Sequence, residues 1–274
     1  SFKNGETIDN SGLNGQPDLS TPATVNSNVG TYTINVSKGN LNCKNYLFVF
    51  NNGTLEVTKA KLSVIAQDQS RIYGELNPAF TVTYNGFKRG DTWATSGIQG
   101  QPALNSTATI SSPVGNYEIT VAQGSLQSDN YDFDYQTGNL SITKALLTIK
   151  ANSQTKKYGA ANPSLTLTYS GFKNGEIFNF SDLKGAVSVS TTAGQSSPVG
   201  VYPIEVQQGT LTSNNYSFEF INDNLTIQKA LIEVKADNKT RLFGAANPAL
   251  TYTFSGFVNS ESREISGVEG MPAL

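Results

Sequence analysis

The 274-residue chain has no histidine, and its only cysteine is Cys43. Without histidine there is no imidazole base to activate a Ser, Cys or Thr nucleophile, and no histidine-based zinc or iron site. A single cysteine excludes an intrachain disulfide, and with it a small stapled scaffold. Charge is sparse and nearly balanced: 19 basic and 21 acidic residues are interspersed, so no patch would condense onto nucleic acid or an anionic membrane. Long apolar runs are also missing. The longest are strand-sized, which predicts no transmembrane helix, and the opening SFKNGETID is neither basic nor apolar enough for a signal peptide. Any export signal is expected outside this stretch.

Asn, Ser, Thr and Gly are abundant, and Val, Ile, Thr, Tyr and Phe outnumber what helices favour, an all-β composition. The chain is also periodic. Lys-Ala pairs stand at Lys59-Ala60, Lys144-Ala145 and Lys229-Ala230, a constant interval of 85 residues. Around the middle pair, GNLSITKALLTIKA alternates apolar and polar as half-buried strands do, with Leu140 and Ile142 before it and Leu147, Ile149 and Ala151 after it. Even numbers become odd, and such a slip flips the buried face. Leu140 and Ile142 are therefore expected in one core and Leu147 and Ile149 in another, with the Lys-Ala step as a short, stiff domain junction lacking any Gly, Pro or Ser run.

Residues 1–59 align without a gap to 86–144, giving a partial repeat, complete repeats at 60–144 and 145–229, and a second partial repeat at 230–274. Gly267 to Leu274 match Gly97 to Leu104. The ends read as cut from a longer array. Strand donation between the two partial repeats of different chains is the rival account, but together they exceed one period, so excerpting is simpler.

Strands are placed by alternation. The first carries Leu62, Val64 and Ala66, then Leu147, Ile149 and Ala151, then Ile232, Val234 and Ala236. Tyr73-Gly74, Tyr158-Gly159 and Phe243-Gly244 turn the chain, and Asn-Pro at 77, 162 and 247 sets up an extended second strand (Phe80, Val82, Tyr84 and their copies). The middle varies most and is assigned one strand with loops. Val-Gly at 114 and 199 launches a strand with Tyr117, Ile119 and Val121 or their copies. An aromatic strand follows (Tyr46, Phe48, Phe50; Tyr131, Phe133, Tyr135; Tyr216, Phe218, Phe220), then a closing strand. Six or so short strands per 85 residues predict tandem Ig-like β-sandwiches in an elongated array. The alternative is a β-grasp-like unit, which needs a helix in the middle segment; EIFNFSDLKG is the one candidate.

The series Lys-Ala, Tyr-Gly, Asn-Pro, Tyr-x-Gly-Phe, Val-Gly-x-Tyr-x-Ile and Asn-Tyr-x-Phe resembles the MBG repeat of the Tyr-Gly-x type, over essentially the whole chain. The resemblance implies export to the bacterial cell surface within a long, repetitive, adhesin-like protein. Two departures are Phe243 for the motif tyrosine, and Asn28 where later copies have Pro113 and Pro198.

Sharper candidates are weighed against the repeats. Asp129, Asp132 and Asp134 could offer oxygen to calcium, but their counterparts Asn214, Ser217 and Glu219, and Lys44, Leu47 and Val49, exclude a repeated site. Trp93 is a possible sugar-stacking contact; its counterparts Ile8, Phe178 and Arg263 favour packing. Lys59, Lys144 and Lys229 with Asn45, Asn130 and Asn215 suggest isopeptide chemistry, but the nearby acid it needs is not seen to recur: Glu118 aligns with Thr33 and Pro203, and Glu205 with Asn35 and Thr120. No carboxylate pair is kept and no phosphate loop occurs, so neither an enzyme nor a cofactor is expected. The favoured expectation is a non-catalytic stalk whose partners are its neighbouring repeats, with the junction residues as structural positions. The alternative is a glycan- or receptor-binding module using the variable middle loops.

Overall fold

The computed structural model describes residues 2–272, so the last two positions of the fourth segment lie outside it. Its chain is built almost wholly of short strands. The first segment supplies β1 (Asp18–Ser20), β2 (Gly30–Ser37) and β3 (Gly53–Val57). The second repeat supplies β4 (Ala60–Ala66), β5 (Gln69–Ile72), β6 (Val82–Asn85), β7 (Ala103–Asn105), β8 (Gly115–Ala122), β9 (Tyr131–Gln136) and β10 (Gly138–Thr143). The third repeats this series as β11 (Ala145–Ala151), β12 (Gln154–Lys157), β13 (Leu167–Ser170), β14 (Ser188–Thr191), β15 (Gly200–Gln207), β16 (Tyr216–Ile221) and β17 (Asp223–Gln228). The fourth segment has β18 (Glu233–Ala236) and β19 (Tyr252–Ser255).

Each complete repeat is a sandwich of a three-stranded and a four-stranded sheet, ordered β6-β4-β9 with β5-β10-β8-β7, and β13-β11-β16 with β12-β17-β15-β14. The first strand is central in the smaller sheet. β11 runs antiparallel to β13 and parallel to β16, with Ala145 opposite Tyr216 and Ile149 opposite Phe220. After a two-residue break the chain crosses to the other sheet as β12, parallel to β17. Inward side chains alternate as a half-buried strand requires: Leu62 and Val64 are fully buried with Leu126 and Tyr131 against them, and Leu147, Ile149 and Ala151 repeat the pattern. Leu140 and Ile142 are buried before Lys144, and Ala145, Leu147 and Ile149 after it.

Four details differ from the sequence reading. The polar strands β5 and β12 went unrecognised because each points a cation inward, Arg71 or Lys156. Lys156 donates to the carbonyls of Gly194 at 2.7 Å and Ala160 at 3.0 Å, and Arg71 reaches Asn77 at 2.8 Å, so hydrogen bonds replace apolar alternation. Second strands begin later than expected, at Val82, Leu167 and Tyr252. Residues 46–50 form no strand, and Val234 is half-exposed, because neither has in this chain the parallel neighbour that β4 gives β9. The β-grasp helix is reduced to a single 3-10 turn at Phe178–Phe180, and no longer helix occurs among the described residues.

The chain forms two compact units. One reaches to Arg71 and includes Asn77–Thr109 and Gly115–Ile142; the other takes Ile72–Leu76, Ile110–Val114 and the chain from Thr143 on. Two loops of the second repeat thus belong to the second unit. No described helix is long and apolar enough to cross a membrane.

Candidate functional site: the junction between repeats

The second unit shows why those loops are claimed. Tyr73 of the Tyr-Gly loop is buried, its hydroxyl donates to Oε1 of Glu176, and its ring meets Tyr216 edge-on at 5.6 Å. The Tyr216 hydroxyl donates to Oε2 of the same carboxylate at 2.7 Å and accepts the Lys173 amide at 2.9 Å. One half-buried acid therefore holds two phenols, one from each of two successive repeats, through charge-assisted bonds. The next glycine is needed for the approach. At Gly74 φ is +77°, and an added Cβ would lie 2.3 Å from Lys173 Cβ. The arrangement recurs at the following step, where Tyr158 donates to Glu261 and a Cβ on Gly159 would lie 2.5 Å from Val258.

A second set of contacts flanks the Lys-Ala pair. In the second unit, the amide of Val114 donates to Oδ1 of Asn215 and that of Ala145 to the Asn215 carbonyl, each at 3.0 Å, while Lys144 Nζ reaches the Ser213 carbonyl at 2.8 Å. In the first unit the same roles fall to Val29 and Ala60 on Asn130, and to Lys59 on Ser128 at 2.7 Å. Asn28, the departure from proline, accepts Nδ2 of Asn130 at 3.2 Å. Lys59 and Lys144 thus lie exposed with their ammonium groups on backbone carbonyls. Lys229 and Ala230 instead line a cavity of about 420 Å³ with Tyr158, Phe257 and Glu261.

The acid of the latch was missed, although Glu6, Asp91, Glu176 and Glu261 recur at the 85-residue interval. Tyr46 donates to Glu6, and Tyr131 to Asp91 at 2.7 Å. In the first unit the loop reads Arg89-Gly90-Asp91, with Arg89 and Gly90 exposed. Asp91 is only 13% exposed, and Arg89 donates to the Asn26 carbonyl at 2.8 Å. Burial, reinforced by the neighbouring carboxylate, pushes the phenols of Tyr73 and Tyr216 above their ordinary range, and Tyr131 likewise.

The other candidates are not brought together. Asp132 and Asp134 take alternate solvent-facing positions of β9, with Asp129 before the strand; Asp132 pairs with Lys61 at 3.4 Å and Asp134 accepts Gln136 at 3.3 Å. Among the described residues no three His, Cys, Asp or Glu gather as metal ligands. Trp93 stacks on Tyr84 at 4.7 Å and keeps 38% exposure. Phe178 makes the same contact with Tyr169 at 5.1 Å, and Arg263 lies 5.5 Å from the Phe254 ring centroid. In these three copies the position covers an aromatic ring, Tyr84, Tyr169 or Phe254.

No curated protein matches this sequence. A family model described as MBG domain (YGX type) matches residues 1–56, 62–141, 147–226 and 232–270, nearly the whole chain. Tyr73-Gly74 and Tyr158-Gly159 each dock onto the repeat that follows, and the chain belongs to the MBG domain family of YGX type.

Proposed function

We infer that the chain is a non-catalytic spacer within a large bacterial cell-surface protein, its repeats joined in series by junctions that resist bending. The observation carrying this reading is the doubled junction: a single residue, Lys144, separates β10 from β11, and the Tyr73 loop docks through Glu176 onto Tyr216. Membership of a family typical of surface proteins supports the setting. Nearest-neighbour docking lets stability accumulate from repeat to repeat, and a stiff series holds an adhesive tip away from the cell. The partners of this stretch are its own neighbouring repeats; partners at the host or cell surface belong to other parts of the protein. Small-angle scattering of the monomeric chain tests this. An extended particle is expected, and a compact globule contradicts it.

One observation favours a second reading, a module that binds glycan or a receptor through the divergent middle segments, 91–112 and 176–197. The Trp93 indole borders a cleft of about 330 Å³ with Phe80, Tyr84 and Gln101, an aromatic floor beside a polar amide. A glycan array probed with the chain and with Trp93→Ala decides it: retention abolished by the substitution supports binding, and no retention rejects it.

A further inference from the structure

The third repeat is complete, and the way its first and last strands meet decides how it answers a pull. β11 starts at Ala145 and lies between β13 and β16, so the entering chain is gripped by a backbone ladder on each side. β12 follows in the other sheet, parallel to the last strand, β17: Gln154 stands opposite Leu225, Lys156 opposite Ile227 and Lys157 opposite Gln228. The Tyr158 amide donates to the Gln228 carbonyl at 2.8 Å and carries the ladder one residue further. β12 is joined to the entry point through its first residue, and β17 to the exit point through its last. Because the two strands are parallel, those attachments lie at opposite ends of the pair. Tension between entry and exit therefore draws β12 and β17 past each other along their own axes, and the bonds between them share the load.

A polar seam backs this pair. Lys156 points inward from β12, only 7% exposed, and its ammonium donates at 2.7 Å to the carbonyl of Gly194, in the loop after β14. Asn162 Nδ2 donates to the Ala193 carbonyl at 2.6 Å, and Gln195 Nε2 to the Gly159 carbonyl at 3.0 Å. The clamp strand and the loop it feeds are thus tied to residues 193–195. Burying an ammonium among neutral carbonyls carries a desolvation cost that an apolar side chain does not. Packing alone does not account for Lys156; a cross-link from β12 to the body of the repeat does. The second repeat has the same seam: Arg71 of β5, which lies beside β10, donates to the Thr109 carbonyl, and Asn77 Nδ2 to the Ala108 carbonyl at 2.8 Å.

We propose that the repeat bears tension through a shear clamp, in which β12 and β17 are loaded lengthwise and Lys156 stops β12 from sliding. Bonds loaded across the strands break one after another from the open end. Loaded lengthwise, none yields until several yield together, and that raises the unfolding barrier on which forced unfolding depends. Extension then requires β12 to slip along β17 while Lys156 is torn from Gly194. The inward cation that makes β12 read as surface in the sequence is the residue that holds the clamp shut. This role rests on the spacer reading, since only a stretch held at both ends is under tension, and adds resistance to extension to resistance to bending.

Optical tweezers on the full chain test the clamp, with handles on cysteines introduced in a Cys43→Ser background. Ser153→Cys with Gln228→Cys pulls β12 and β17 lengthwise, whereas Ser153→Cys with Asn224→Cys, at one end of the pair, pulls them apart sideways; all three positions are exposed. The lengthwise rupture force should exceed the sideways force at least about twofold. Lys156→Met, which keeps the stem and removes the ammonium, should speed lengthwise unfolding about tenfold through loss of a charge-assisted bond. Equal forces in the two directions overturn the clamp, and that comparison leaves the core untouched. An unchanged rate in Lys156→Met overturns the part given to the seam. Scattering separates the two readings: an extended monomer with equal forces keeps the spacer and loses the clamp, and a compact globule contradicts the spacer and the tension with it.

Discussion

Glu176 gives one carboxylate oxygen to Tyr73 and the other to Tyr216, so removing it strands two phenols at once. Hydrogen bonds to a charged group are worth about 1.5–3 kcal/mol. Glu176→Ala is expected to lower stability in urea unfolding by about 3 kcal/mol, and Tyr73→Phe by about 1.5 kcal/mol. The double variant should fall short of the sum, since both act on one network. Equal effects from Glu176→Ala and an exposed substitution such as Glu118→Ala would show the latch to be idle. The same groups set a pH dependence. Their phenol pKa values are raised on folding, so the folded state holds those protons more tightly than the unfolded chain. Their contribution is fully present below the ordinary tyrosine value of about 10 and is lost as pH rises through the higher folded values. Stability should be level with respect to these groups from neutrality to about pH 10 and then fall. Glu176→Gln, which removes the carboxylate's charge from beside both phenols, should lower their titration midpoints in the ultraviolet.

At the scale of elements, the docked loop separates packing from backbone strain. Gly74 and Gly244 share φ of +77°, but a Cβ at 74 meets Lys173 whereas nothing lies within 4 Å at 244. A left-handed alanine alone costs about 1–2 kcal/mol, so Gly244→Ala reports that term and Gly74→Ala should exceed it by at least about 1 kcal/mol, the lower end of overpacking penalties. Equal losses by thermal unfolding would mean that the loop is not docked. The strands differ in the same way. Leu147→Ala in buried β11 should cost about 3 kcal/mol and Val234→Ala in half-exposed β18 under about 1 kcal/mol. Most strands were legible because their apolar residues alternate and the alternation recurs every 85 residues. β5 and β12 were not, because their inward groups are Arg71 and Lys156, and charge on a buried face reads as surface. The latch acid was visible as a recurring carboxylate, but a lone acid carries no chemistry until the fold sets a tyrosine from the preceding repeat beside it, 103 residues away in sequence. Residues 46–50 show the converse: a full strand pattern makes no strand where the neighbour is missing.

For the whole molecule, the claim is that a one-residue connection and a docked loop together suppress bending between repeats, and the distance across one junction reads this most directly. Spin labels at Glu118→Cys and Glu205→Cys, both exposed, in a Cys43→Ser background flank Lys144 from the second and third repeats. Pulsed electron paramagnetic resonance should return a single narrow distance distribution that broadens when Glu176→Ala opens the latch. A broad distribution in the parent chain, unchanged by Glu176→Ala, would contradict the stiff junction and the spacer function with it.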